Sequence, residues 1–151
     1  MKATLALAAS LGLAPVVHAA DYVNVSIVGE YTLISGKKNG MNPDEDSKRA
    51  KYVIDARTIT ISAKMAKFVI GYTLNPKTTP PGIDLEILEG PEGTKGEKAH
   101  GIVERKGDDL RIAYAFEKDK RPKDFDGKDG MLFIFKVKGK EPVERQRTRP
   151  R

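Results

Sequence analysis

Residues 67–90 read KFVIGYTLNPKTTPPGIDLEILEG, and this stretch decides the fold. Phe68, Ile70, Tyr72 and Leu74 fall on alternate positions, as do Ile83, Leu85 and Ile87 after the Pro-containing break. A period of two is the strand period, with one face turned to a core. The same pattern repeats outward in both directions. Tyr31, Leu33 and Ser35 alternate with Thr32 and Ile34 before the break at 36–40. Tyr52–Asp55 and Thr58–Ser62 make two short strands across an Asp-Ala-Arg turn. Glu97–Glu104 makes another, and Arg105–Asp109 reads as a tight hairpin turn. Leu110, Ile112, Tyr114 and Phe116 share a face, as do Met131, Phe133, Phe135 and Val137.

About eight short strands joined in order by hairpin-length links predict an all-β, antiparallel up-and-down barrel. Closure removes the sheet edges that would invite aggregation. One helix signal interrupts the pattern: Asn42 as cap, Pro43 at the first helical position and acids at 44–46 predict a short helix from Pro43 to about Ala50. The inward set is rich in Phe, Tyr, Ile and Leu, which favours a mostly filled interior.

The chain has 151 residues, no cysteine and a net charge of +6. Residues 1–19, MKATLALAASLGLAPVVHA, read as a secretory signal peptide: Lys2, an apolar stretch to Val17 and the small-residue exit Val17-His18-Ala19. That stretch is too short, and too broken by Gly12 and Pro15, for a transmembrane segment. The expectation is an exported protein, periplasmic or extracellular, with residues 21–138 as one barrel domain of modest core. Without cysteine, export brings no disulfides and thiolate chemistry is excluded. Residues 139–151 form a basic, Pro-containing tail that reads as disordered, with net charge +3 over 140–151. It offers a tether to an anionic surface or an acidic protein partner. The body is nearly balanced, so no footprint for specific nucleic-acid binding is evident.

The segment from Gly29 to Lys138 resembles the planctomycete lipocalin-like domain family of unknown function. The resemblance is carried by Gly29-Glu30-Tyr31, where the family has Gly-x-Trp. It continues through Tyr72–Pro76 with Pro81–Leu85, Glu89–Lys95, Gly101-Ile102, Lys106–Leu110 and the Arg121-Pro-Lys-Asp-Phe125 loop. The chain departs at Tyr31 and at His100, where an apolar residue is usual. The resemblance implies a lipocalin-like, calycin-type barrel and no reaction. It also implies a basic residue, Arg121 or a last-strand lysine, packed over Tyr31.

Candidate chemistry is sparse. His100 would be the only histidine after loss of the leader, and Glu104 on its strand face lies roughly 13 Å away. Asp124–Gly130 looks like a calcium loop, but its acids fall at positions 1, 3 and 6 and position 12 is Phe135, so a polar hairpin loop is the reading. Asp84 and Glu86 point off the apolar face toward solvent. No elbow, P-loop or dinucleotide fingerprint occurs. The expectation is therefore a non-enzymatic binding domain, with no cofactor and no metal. It would hold a small apolar ligand in or at the mouth of the barrel. Its candidate ligand residues are Tyr31, Tyr72, Tyr114, Arg121, Phe125, Phe133 and Phe135. Phe125 could plug one end. The alternative is a protein-interaction module, a secreted inhibitor or envelope-assembly factor, acting through loops and tail.

Overall fold

Alternating apolar residues between short turns can satisfy their backbone groups by pairing each strand with the next, and this chain does so until the sheet meets itself. The structure, a computed structural model, describes residues 26–117, 120–128 and 130–138. The expected leader and basic tail lie outside the described residues. Eight strands follow in order: β1 (Gly29–Lys38), β2 (Lys51–Ile54), β3 (Thr58–Ser62), β4 (Lys67–Asn75), β5 (Gly82–Glu89), β6 (Lys98–Lys106), β7 (Asp109–Ala115) and β8 (Met131–Val137). Each pairs antiparallel with its successor, and β8 pairs back to β1 with Leu33 opposite Phe135, closing the barrel. One helix, α1 (Glu45–Arg49), lies between β1 and β2.

The inward positions form the core. Tyr31, Leu33, Ile54, Ile83, Val103 and Leu110 are buried there, and the partly buried Ile70, Tyr72, Leu74 and Phe133 pack against them. A second, smaller cluster lies on the outer face, where Ile102, Ala113 and Leu132 pack with Phe125 and Ile134. It exists because the β7–β8 connection folds back over the outside of the sheet as a strap.

Several local expectations need correction. The alternation through Ser35 fails, because β1 carries a bulge between Leu33 and Ser35. One extra residue shifts the inward face, so Ser35 is exposed and Gly36 takes the buried position. The helix begins two residues later than the sequence suggests. Asp44 is the N-cap, and its carboxylate accepts the Ser47 N–H at 2.7 Å, while Asn42 and Pro43 precede the cap. That hydrogen bond holds the Asp44 carboxyl below its ordinary value. The β6–β7 turn is tighter than Arg105–Asp109. The strands run to Lys106 and from Asp109, and Gly107 adopts φ +59°, a conformation that favours glycine. Phe116 leaves the inward face and is exposed, since β7 ends at Ala115.

Candidate functional site

Small inward residues decide where the barrel is hollow. At one end β6 contributes Ala99, and Ala50 and Ala63 flank β2 and β3. Facing Gly101 in register is Tyr114 of β7. A Cβ at position 101 would collide with the Ala113 carbonyl and come within 2.8 Å of Tyr114 Cβ, so only glycine lets the Tyr114 strand approach so closely. The opposite end is filled by Ile27, Ile83, Val103 and Leu110, all of them almost fully buried.

The result is a cavity of about 690 Å³ at the end carrying the β1–β2, β3–β4, β5–β6 and β7–β8 connections. Its wall includes Tyr52, Ile70, Leu85, Ala99, Tyr114 and Phe133; its rim includes Lys38, Glu97, Glu117, Lys120 and Lys128. Below it a void of about 30 Å³ reaches Ile112 and Phe135. The interior is thus packed in one half and open in the other, where the composition favoured a mostly filled one.

The rings of Tyr114 and Phe133 stack at 6.0 Å and 28°, and those of Phe133 and Phe135 at 5.9 Å and 25°. The rings thus run near-parallel along the β7–β8 wall. Tyr52 packs edge-on to Phe135 at 4.9 Å.

The tyrosine hydroxyls divide in two. Tyr31 donates to the Ile27 carbonyl at 2.7 Å, Tyr52 to that of Ser47 at 2.7 Å and Tyr72 to that of Asp55 at 2.6 Å. Each ties a strand to a connecting segment. The Tyr114 hydroxyl makes no hydrogen bond to any described residue. No side-chain polar atom among the described residues is both sealed off and unbonded. Tyr114 Oη therefore opens onto the cavity. Burial, and secondarily the neighbouring Tyr52, push the Tyr114 phenol well above its ordinary range. Burial, then the Asp44 charge, push Tyr52 up to about 12.

Of the residues singled out from sequence, the cavity and the void beneath it bring together Tyr114, Phe133 and Phe135. Tyr31 and Tyr72 lie in the closed half. Arg121 and Phe125 lie outside the barrel altogether. Arg121 donates to the Gly101 carbonyl at 2.6 Å and to Asp84 Oδ1 at 2.6 Å. Phe125 lies under the Arg111 guanidinium at 4.6 Å and plugs no end. The cation over Tyr31 is Arg105, 6.0 Å from the ring centroid, in place of Arg121 or a last-strand lysine. Arg105 is fixed there by the Ser26 carbonyl at 2.8 Å.

Asp84 does point off the apolar face, but it is engaged rather than merely solvated. His100 Nδ1 lies 2.7 Å from its Oδ1, the same oxygen that Arg121 reaches. Burial raises the Asp84 carboxyl, the hydrogen bonds from His100 and Arg121 lower it, and the net shift is downward. Glu104 pairs with Arg111 and Lys106, away from His100. Arg121, through Asp84 and the Gly101 carbonyl, and Phe125, under Arg111, fasten the strap to the sheet. The calcium-like loop turns its acids onto its own backbone: Asp126 N–H donates to Asp124 Oδ1 and Lys128 N–H to Asp126 Oδ1. Among the described residues no three His, Asp or Glu side chains group closely enough to hold a metal ion. Among the same residues no helix is long and apolar enough to cross a membrane.

Sequence reasoning missed Tyr52, Leu85, Ile70 and Ala99 as cavity walls. The signal was present in Ala99, a small residue on an inward position of β6. Comparison of the chain with family models, with curated proteins and with solved structures found no match.

Proposed function

We propose that this chain is an exported, non-enzymatic binding domain that holds a small apolar ligand in the open end of its barrel. The observation that carries the reading is the cavity of about 690 Å³, walled by apolar and aromatic side chains and rimmed by charge. Small-molecule sites fall in the range of about 300–1,000 Å³ and share that lining. Natural cores leave few voids larger than a water molecule, so a space this size is not ordinary packing. The leader-like residues 1–19 support export, and the motifs from Gly29 to Lys138 support kinship with the lipocalin-like family.

Native mass spectrometry of the protein, produced with its own leader, tests this. A discrete extra mass that is lost on denaturation is the expected result, on a chain beginning at Ala20 or Asp21. A bare polypeptide that also takes up no added apolar probe refutes the binding reading. A chain retaining Met1 refutes export.

A second reading is favoured by three exposed side chains around the same opening. Met41 is 68 % exposed, Met65 82 % and Phe116 48 %, and they come from three different connections. Such tips suit contact with another protein's apolar surface. Loss of partner capture in the Met41→Ser, Met65→Ser double variant, with apolar-probe uptake unchanged, would favour this reading.

A further inference from the structure

The inference rests on the ligand-binding reading above and names the class of ligand. Four facts constrain it. First, the cavity wall offers one hydroxyl without a partner among the described residues, that of Tyr114. Second, the nearby Tyr52 O–H already donates to the Ser47 carbonyl, so toward the cavity its oxygen can only accept. Third, no charged side chain lines the inner void, whose walls are aliphatic and aromatic. Of the three rim lysines, Lys120 meets Glu117 at 2.9 Å and Lys128 meets Asp126 at 3.4 Å, while Lys38 stays at the mouth, where its charge acts on the Asp44 carboxylate. Fourth, Tyr114, Phe133 and Phe135 present near-parallel rings.

We infer that the cavity takes an uncharged, flat, largely apolar molecule bearing a ketone-type carbonyl, with the Tyr114 hydroxyl donating to that carbonyl oxygen. The phenol is a donor here because a tyrosine hydroxyl is protonated at neutral pH, and its enclosure favours the neutral form further. A deep donor left without an acceptor is costly, so a ligand that supplies one gains over a hydrocarbon of the same shape. A carboxylate at the same depth would be desolvated with no cation beside it, and its charged group must stay at the rim. A flat ring system suits the wall because a planar molecule can extend the near-parallel series of Tyr114, Phe133 and Phe135 in offset contact.

Three probes with one skeleton test the inference: fluorene, 9-fluorenone and fluorene-9-carboxylate. Their affinities are measured by equilibrium titration of the full exported chain and of its Tyr114→Phe variant. The expected result is that Tyr114→Phe weakens 9-fluorenone about tenfold and leaves fluorene within about twofold, with the carboxylate the weakest ligand of wild type. In wild type alone, the infrared carbonyl band of bound 9-fluorenone should move to lower wavenumber than in a hydrocarbon solvent.

An equal change for fluorene and 9-fluorenone overturns the donor assignment while leaving the apolar cavity reading intact. An unshifted carbonyl band, or tightest binding of the carboxylate, does the same. Failure of both fluorene and 9-fluorenone to bind wild type overturns the cavity reading itself and this inference with it. The infrared measurement needs no variant, so a Tyr114→Phe protein that folds poorly leaves the test standing.

Discussion

Phe135→Ala and Phe133→Ala, made separately, distinguish a packed barrel from a hollow one. Phe135 is 5 % exposed and has the rings of Tyr52, Phe133 and Tyr31 at 4.9, 5.9 and 6.1 Å. Truncating it leaves roughly 100 Å³ that closed-barrel walls cannot collapse to fill, worth ~2.4 kcal/mol at about 24 cal/mol per Å³. The lost transfer free energy of a buried Phe adds ~2 kcal/mol. The expected destabilisation is therefore about 4 kcal/mol. Phe133 is partly buried and lines the 690 Å³ cavity. Its truncation enlarges a space that already exists, so the cavity contribution falls away and about 1.5–2 kcal/mol remains. Urea denaturation followed by far-ultraviolet circular dichroism measures both, since the chain has no tryptophan. With a slope of about 1.5 kcal/mol/M, the midpoint should fall by roughly 2.7 M for Phe135→Ala and by roughly 1.2 M for Phe133→Ala, with the slope unchanged. Equal losses near 4 kcal/mol would mean that Phe133 is packed as tightly as Phe135, and the hollow half would be refuted.

The hydrogen bonds on Asp84 make a pH prediction. Its folded carboxyl is depressed, so its contribution is complete above the unfolded value of about 3.9 and is lost as pH falls through the lower folded value. Asp84→Asn should flatten the acid limb of the urea midpoint against pH; a limb parallel to wild type would show that the pairing adds nothing. Tyr31, Tyr52, Tyr72 and Tyr114 all have raised phenols, each chiefly through burial. The stability they contribute is intact below about pH 10 and falls as pH climbs through their folded values. Phenolate absorbance from these four should appear together with loss of the sheet; full phenolate signal from a folded protein would contradict their enclosure. Gly101→Ala should cost about 1–3 kcal/mol by forcing the Tyr114 strand outward. A thermal midpoint unchanged from wild type would show that β6 and β7 can separate there without strain.

The barrel was legible because alternation in residues 67–90 and at Leu110, Ile112 and Tyr114 encodes one buried face, and short links leave adjacent strands little choice but to pair. The bulge in β1 was not, since nothing in Leu33-Ile-Ser35 distinguishes a two-to-one pairing from a regular one until β8 lies beside it. Tyr114, Phe133 and Phe135 were placed at the site by parity alone. Arg121 and Phe125 were misplaced because the path of a long connection is set by tertiary contacts: the Gly101 carbonyl, Asp84 and Arg111 draw it over the outer face. The position of the hollow depended on which inward residues are small at the same height. That is a property of register across strands, not of any one strand.

Seven of the eight strand interfaces join neighbours in sequence; the eighth joins β1 to β8. Every hairpin can zip locally, but this seam must wait until the chain from Lys38 to Met131 has been gathered. It is the slow, long-range step of assembly, and its seven paired residues, against three between β1 and β2, make it a broad closure. Amide protons along the three-residue β1–β2 pairing should exchange ahead of those along the seam. A molecule lodged against Phe133 and Phe135 of β8 would brace the seam from within, so occupancy and ring closure become a single equilibrium.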